Sequence, residues 1–142
     1  MSADEQALTA LLRARGMRVT SQRLLIARAL HEHGGHLSSE QLYAIVAPAL
    51  PGVSQQTVYS TLALLSELGV ARRVAVPGAT ARFEARVDEH HHMVCERCGA
   101  IEDLHARVPL AAATRASRKT GFVPASAGVT VLGLCARCAA AS

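Results

Sequence analysis

All four cysteines of this 142-residue chain fall into two Cys-x-x-Cys pairs, Cys95 with Cys98 and Cys135 with Cys138. One such pair can place two thiolates on a single ion, and two pairs complete the tetrahedral four-sulfur shell that zinc prefers. A structural zinc site of this kind contributes on the order of 10–16 kcal/mol to the folding of a small domain. The spacing therefore predicts that zinc holds the C-terminal part of the chain together.

Two other interpretations of the cysteines compete with zinc. The four thiols could form two disulfides, or a pair could be a redox site of the thioredoxin kind. Residues 1–6 include Asp4 and Glu5 and no apolar run, so we expect no export to an oxidising compartment, which disfavours disulfides. A thioredoxin-like site needs one pair rather than two. Structural zinc is the favoured interpretation.

Composition limits the class of protein. Half of the residues are hydrophobic but only 3% are aromatic, so the core must be built from Leu, Val and Ala. No apolar run approaches the roughly 18 residues that span a bilayer, so we expect a soluble, cytoplasmic protein with no membrane partner. The formal net charge of +4 permits an acidic partner such as DNA without requiring one.

The N-terminal part of the chain carries the same helix start signal three times. In each case an apolar residue precedes a hydroxyl N-cap and a second apolar residue follows in the first helical turns, which makes a hydrophobic staple. The three caps are Thr20, Ser38 and Ser54. A further helix is predicted over residues 5–15, and two strands, 70–76 and 79–84, are predicted around a turn at Pro77 and Gly78. Helices followed by such a hairpin are typical of a winged helix-turn-helix domain.

The last of these helices, predicted from Ser54 to Leu68, would enter the DNA major groove in that architecture. Its apolar residues form one stripe at helical spacing, and its opposite face is polar. Glutamine can bind adenine through two hydrogen bonds, and hydroxyl groups can reach phosphates. A solvated polar face is the competing interpretation, but arginines in the predicted hairpin favour DNA. The predicted DNA-contacting residues are Arg18, Gln55, Gln56, Thr57, Tyr59, Ser60 and Arg72.

A second group of metal-binding side chains leads directly into the first cysteine pair. The segment that begins at Glu84 contains His90, His91 and His92 together with further carboxylates. If this segment is extended, alternate side chains share a face, so His90 and His92 point together while His91 points away. Two imidazoles with carboxylates suit Fe, Zn, Ni or Mn, and a solvated or adventitious metal-binding patch is the alternative. His36 could be a distant third ligand or an ordinary loop residue.

Together, these motifs resemble those of the ferric uptake regulator (Fur) family over essentially the whole chain. The matching segments, in chain order, are residues 18–23, 36–43, 57–59, 82–84, 90–99 and 133–138. Residues 50–54, 81–87 and the Gly-Leu-Cys tail are most similar to the FurA/CatR branch. The resemblance implies iron-dependent, peroxide-responsive repression of catalase-peroxidase or similar defence genes, or of iron genes.

The resemblance also implies roles for individual residues. The four cysteines match structural zinc ligands, and Tyr59 matches a DNA-contacting tyrosine. A regulatory site for Fe(II) or Mn(II) is implied, with the ligands His36, Glu84, His90, His92 and Asp103. In two positions the chain departs from the family pattern. Ser60 replaces the arginine that usually follows the tyrosine, and Glu84 stands where the peroxide-sensing branch often has aspartate.

The predicted fold class is α+β. Residues 1–84 are predicted to form a winged helix-turn-helix DNA-binding domain, 85–89 a hinge, and 90–142 a small α/β dimerisation domain with the four-cysteine zinc site. The elements predicted for the last domain are strands over 93–95, 100–104 and 129–134 and a helix over 109–120. The regulatory ion would bind ligands from both domains, and an edge strand would join two copies into a homodimer on a palindromic DNA operator.

The predicted function is a metal-dependent transcriptional repressor that is not an enzyme, has no small-molecule substrate, and releases DNA on iron loss or peroxide. A zinc- or nickel-uptake regulator of the same family is the alternative, because an imidazole-rich site also binds those metals. A metal-dependent hydrolase or a thiol redox enzyme is the alternative from another class. The chain has no Ser/His/Asp pattern and no phosphate-binding loop, so the last alternative has little support.

Overall fold

The computed structural model describes residues 1–85, 88 and 90–141, and these divide into two compact units, Met1–Val87 and Asp88–Ser142. Three of the five residues in the predicted hinge, 85–89, lie outside the described part of the chain. No helix in that part is long and apolar enough to cross a membrane.

Four α-helices form most of the first unit, and their start points follow from their caps. They are α1 (Ala3–Ala14), α2 (Ser21–His33), α3 (Ser39–Val46) and α4 (Gln55–Glu67), with a short 3-10 turn over Ala47–Ala49. The predicted caps Thr20, Ser38 and Ser54 each accept a hydrogen bond from the amide three residues later. The first helix begins earlier than predicted, because Ser2 and Glu5 form a capping box.

The core of the first unit is aliphatic, as the shortage of aromatic residues requires. Ile26 of α2, Leu42 of α3 and Leu62 of α4 are each fully buried. Val58 and Leu65 extend the same apolar stripe of α4, so this helix packs inward along one side and leaves its other side exposed. Burial of this stripe fixes which residues of α4 face outward.

A two-stranded wing follows α4. Gly69 follows the end of the helix with a positive φ of 74°, and the chain then forms β1 (Arg72–Val74) and β2 (Arg82–Glu84). The strands pair antiparallel, with Arg73 opposite Phe83. The turn lies where it was predicted, between Val76 and Ala79, but the strands pair only over Arg72–Val74 and Arg82–Glu84 and are shorter than the predicted 70–76 and 79–84.

The second unit contains a three-stranded sheet and two short helices. Its elements are β3 (His91–Cys95), β4 (Ile101–Leu104), α5 (Ala111–Arg118), β5 (Thr130–Gly133) and α6 (Ala136–Ala140). The strand order is β4-β3-β5, with β3 antiparallel to β4 and parallel to β5. The helix α6 was not predicted. Helices followed by this small mixed sheet confirm the predicted α+β class.

The second unit has little apolar core of its own. Among its described residues, the buried ones are Val94 and the side chains with metal-binding atoms Cys95, Cys138, His90, His91 and His92. So few buried aliphatic groups contribute little hydrophobic free energy. A metal cross-link is the kind of stabilisation that such a small unit requires.

Candidate metal centres and nucleic-acid face

The two cysteine pairs lie at the end of neighbouring strands. Cys95 is the last residue of β3, and Gly99 closes the following turn by donating its amide to the Cys95 carbonyl at 2.9 Å. Cys135 follows β5 and is the N-cap of α6, where its sulfur accepts the Cys138 amide. The parallel register places Cys95 opposite Gly133, so the two pairs are brought to the same end of the sheet.

Backbone and side-chain contacts join the segments that carry the two pairs. The Glu96 amide donates to the Gly133 carbonyl at 2.8 Å, and the Arg97 guanidinium donates to the Cys138 carbonyl at 3.0 Å. These bonds tie the loop of the first pair to the strand and the helix that carry the second pair. These contacts keep the four sulfurs of the two pairs close together.

The cluster has the dimensions of a zinc site. The Sγ atoms of Cys98 and Cys135 are 3.8 Å apart, and the four sulfurs all lie within 4.8 Å of one another. A tetrahedral ion with Zn–S bonds of ~2.3 Å requires sulfurs about 3.8 Å apart. All four cysteines are free thiols rather than disulfides. The donor set and its spacing fit tetrahedral zinc.

The thiols of the cluster titrate differently. The hydrogen bond from the Cys98 amide, followed by that from the Cys135 amide, lowers the pKa of Cys95 to about 6. The hydrogen bond with Cys135, followed by burial, raises the pKa of Cys138 to about 12. The pKa of Arg137 is raised by its hydrogen bond to Cys98. The Cys138 thiol therefore resists ionisation unless a cation offsets the charge of its thiolate.

A group of nitrogen and oxygen ligands lies on the sheet of the second unit. The antiparallel register places His92 opposite Asp103. The Nε2 atoms of His90 and His92 are 3.5 and 3.8 Å from Oδ1 of Asp103, and the two imidazole rings are 4.6 Å apart. His91 points elsewhere, because its Nδ1 accepts the Val129 amide at 3.0 Å. The predicted alternation of the three histidines is therefore confirmed.

A second pair of ligands lies in the first unit. Leu37 and Phe83 exchange two backbone hydrogen bonds of 2.9 and 2.7 Å, which places His36 beside Glu84. The His36 Nε2 and a Glu84 carboxylate oxygen are 2.8 Å apart, and their side chains are 9% and 3% exposed. A carboxylate this deeply buried requires a cationic or hydrogen-bonding partner.

The donor atoms of these two groups suit a borderline or hard divalent cation. Imidazole nitrogens bind Fe, Zn and Ni, and carboxylate oxygens bind Mn and Fe as well. The five residues predicted as regulatory ligands are all described, two in the first unit and three in the second. Of these five residues, Asp103 is the one whose position could not be predicted from spacing in the sequence. It lies beside the histidines only because β4 pairs with β3.

The outward face of α4 carries the predicted DNA contacts. Gln55, Gln56, Tyr59 and Ser60 are exposed, and Tyr59 is 43% exposed although it is a large aromatic side chain. Thr57 is half-buried, and its hydroxyl shares a 2.9 Å hydrogen bond with the Ser54 hydroxyl. Arg18 precedes α2 and is exposed, and Arg72 in β1 is half-buried.

The same face contains a residue that the sequence analysis missed. A groove of about 380 Å³ lies beside α4 and is lined by Arg23 of α2 together with Gln56, Tyr59 and Ser60. Arg23 lies three residues after the Thr20 cap, and its guanidinium donates to the Arg18 carbonyl at 2.5 Å. A basic residue in the first turn of α2, five residues after Arg18, could have been noticed as a signal, because clustered basic residues are typical of a nucleic-acid-binding surface.

Known proteins resemble this chain over most of its length. A family model described as the ferric uptake regulator family matches residues 14–132. The transcriptional regulator FurA of Mycobacterium tuberculosis (strain ATCC 25618 / H37Rv) is 40% identical over 128 residues, which cover 89% of this chain and 86% of FurA. The peroxide-responsive repressor PerR of Staphylococcus epidermidis is 29% identical over 127 residues, which cover 89% of this chain and 85% of PerR.

Solved structures agree with the fold. The ferric uptake regulator of Helicobacter pylori, which is described as having three functional metal binding sites, matches with a TM-score of 0.79. The match covers 96% of this chain and 92% of that one at 20% sequence identity. At 20% sequence identity, this similarity shows that the two chains share a fold and nothing further.

Proposed function

This chain belongs to the ferric uptake regulator family, and we propose that it represses transcription as a homodimer whose DNA binding requires Fe(II) or Mn(II). Membership of the family makes it a metal-dependent transcriptional regulator, and the similarity to FurA agrees with the FurA/CatR branch. The observation that carries the finer proposal is the pair of buried ligand groups, each held by backbone pairing within its own unit.

The proposed regulatory ligands are His36, Glu84, His90, His92 and Asp103, acting on one ion. Support comes from the burial of four of these side chains to less than 10% exposure, since burying imidazoles and carboxylates together is costly without a cation. An ion that binds one arrangement of the two domains more tightly than another increases the population of the first arrangement. The size of this shift is set by the difference between the two affinities. Bound Fe(II) would also supply the redox chemistry that peroxide sensing needs.

The four cysteines are proposed to hold structural zinc. The 3.8 Å sulfur separation and the thin apolar core of the second unit support this role over a redox one. In this proposal the cysteines maintain the fold, and the signal is received at the nitrogen and oxygen ligands.

The second unit offers an edge for the proposed dimer. The strand β5 lies at one edge of the sheet, and its Val131 and Leu132 are 49% and 45% exposed. An edge strand with exposed apolar side chains is a site at which a second copy can pair. A two-fold dimer would in turn present two copies of α4 to a palindromic operator.

Selection from random DNA tests the proposed repressor. Zinc-containing protein loaded with Mn(II) should enrich an inverted repeat whose half-sites are about one helical turn, roughly 34 Å, apart. The same selection with metal-free regulatory sites should enrich nothing. If the two selections return the same sequences, the metal is not a co-repressor.

The choice between peroxide and iron as the signal rests on a different observation. Glutamate at position 84 favours plain iron sensing, whereas the similarity to the peroxide-responsive repressor PerR favours peroxide. We propose peroxide sensing. After dilute peroxide in the presence of Fe(II), mass spectrometry should find a single-oxygen gain on His36 or His90. Oxidation confined to the cysteines would instead indicate a thiol mechanism.

Zinc or nickel sensing is the second candidate. It is favoured by the three buried or nearly buried imidazoles of the proposed ligand set, since imidazole binds both metals well. Metal analysis of the protein isolated from cells, combined with operator binding under each metal, decides between these functions. Iron or manganese above the structural zinc supports the first candidate.

A further inference from the structure

The exposed face of α4 carries neutral polar side chains, and no residue of this helix is a cation that could bind a phosphate. The Ser60 hydroxyl donates to the Thr57 carbonyl at 3.1 Å, so its hydrogen is already used within the helix. The Thr57 and Ser54 hydroxyls are joined to each other at 2.9 Å. Phosphate oxygens accept hydrogen bonds and need a donor opposite them. Position 60, where the family usually has arginine, therefore offers little to a DNA backbone.

Arg23 supplies a cation to the same groove from the neighbouring helix. It lines the groove next to Gln56, Tyr59 and Ser60, and its side chain is half-buried rather than extended into solvent. The bond to the Arg18 carbonyl uses one of the five guanidinium hydrogens, and the fork geometry leaves the others to bind an anion. A guanidinium held in this way loses little side-chain entropy on binding a phosphate.

We propose that Arg23 contacts a DNA backbone phosphate from α2 and so supplies this groove with the cation that α4 lacks. This inference rests on the proposed DNA-binding function and adds a contact that the sequence analysis did not assign. The bond from Arg23 to the Arg18 carbonyl also fixes the segment that carries Arg18, which is itself a predicted DNA contact. Loss of Arg23 thus removes one phosphate contact and loosens a second.

The charge around the groove is consistent with a single phosphate. Among the described residues that line the groove, Glu67 alone is acidic. Glu67 is the last residue of α4, so its negative charge lies far from the N-terminus of that helix. The N-terminal end, near Gln56, carries the positive end of the helix dipole. A phosphate beside Arg23 and Gln56 is therefore favoured over one deeper along α4.

The salt dependence of operator binding tests this contact. Each phosphate that a cation neutralises adds about 0.9 to the slope of log K against log salt concentration, so two copies of Arg23 in a dimer add about 1.8. Arg23→Ala should lower the slope by about that amount and weaken binding about tenfold on every operator sequence alike. The matched control is Arg28→Ala, which removes the same charge from the same helix at a residue that pairs with Glu5. This control should leave the slope unchanged.

A rescue experiment separates a contact from a structural role. Adding Ser60→Arg to Arg23→Ala should restore the slope and most of the affinity, because the cation returns to the same groove from α4. Arg23→Gln, which keeps a donor for the Arg18 carbonyl without the charge, should show the same loss of slope as Arg23→Ala. An unchanged slope in both Arg23 variants, or no rescue by Ser60→Arg, overturns the inference while leaving metal-dependent DNA binding of the unmodified protein intact. If the unmodified protein binds no DNA with any metal, both proposals fail.

Discussion

Cys95 connects three features of the second unit. It ends β3, its carbonyl accepts the hydrogen bond that closes the turn of the first cysteine pair, and its sulfur belongs to the four-cysteine cluster. Its pKa of about 6 means that this sulfur is readier than that of Cys138 to bind a cation near neutral pH. Spacing in the sequence was enough to identify the cluster, because all four ligands come in local pairs.

Replacing this ligand should unfold the second unit. In Cys95→Ser the zinc loses one of four sulfurs, and the few buried residues of the unit cannot replace a stabilisation on the order of 10 kcal/mol. We expect loss of bound zinc in metal analysis and loss of the strand signal in circular dichroism, with the helical signal of the first unit retained. Glu96→Ser in the same turn is the matched control and should keep its zinc. A zinc-free Cys95→Ser protein with a native spectrum would contradict the structural role.

At the scale of elements, helix starts were predictable because each is encoded by a few neighbouring residues. Thr20, Ser38 and Ser54 cap their helices as predicted. The helix α6 was missed because it has five residues and a cysteine as its cap, which is an unusual N-cap side chain. Wing lengths were overestimated because apolar residues around a turn resemble strand residues in sequence.

The cap of α3 should matter for stability in proportion to its hydrogen bonds. Ser38 accepts the Gln41 amide at 3.1 Å and donates its own amide to the Gln41 side chain at 2.9 Å, and it is buried. Ser38→Ala should lower the free energy of unfolding of the first unit by about 1 kcal/mol. Denaturant titration followed by helical circular dichroism measures the change. Ser39→Ala, one residue later, is the control, and an equal loss in both variants would argue against a capping effect.

At the scale of the whole molecule, two units with different sources of stability should respond differently to acid. The first unit has an aliphatic core, whereas the second depends on thiolates that must be free of protons to hold a cation. The assignment of ligands to a regulatory site came from the resemblance, because the strand register that places Asp103 opposite His92 is not readable from local spacing.

Acidification should release zinc and destabilise the second unit first. The folded-state pKa of Cys95, about 6, lies below its ordinary value of 9.0, so the folded state binds fewer protons than the unfolded state between these values. This contribution to stability is present above pH 9 and is lost as the pH falls through about 6. The raised pKa of Cys138 acts in the opposite sense, and its contribution is lost only as the pH rises toward about 12. Bound zinc keeps its thiolates free of protons to still lower pH, so a chromogenic zinc indicator should report release only below about pH 6. Zinc that stays bound down to about pH 4, where free carboxylates gain protons, would contradict the role of Cys95.

The most direct test compares operator affinity with and without regulatory metal in protein whose four cysteines are fully loaded with zinc. Adding Fe(II) or Mn(II) should raise the affinity of the unmodified protein by about one to two orders of magnitude, the usual range of allosteric coupling. His90→Ala should remain folded, keep its zinc and show no such increase, and the exposed His33→Ala should behave like the unmodified protein. If affinity is the same with and without metal in the unmodified protein, or rises equally in His90→Ala, metal binding at His90 does not control this protein's attachment to DNA.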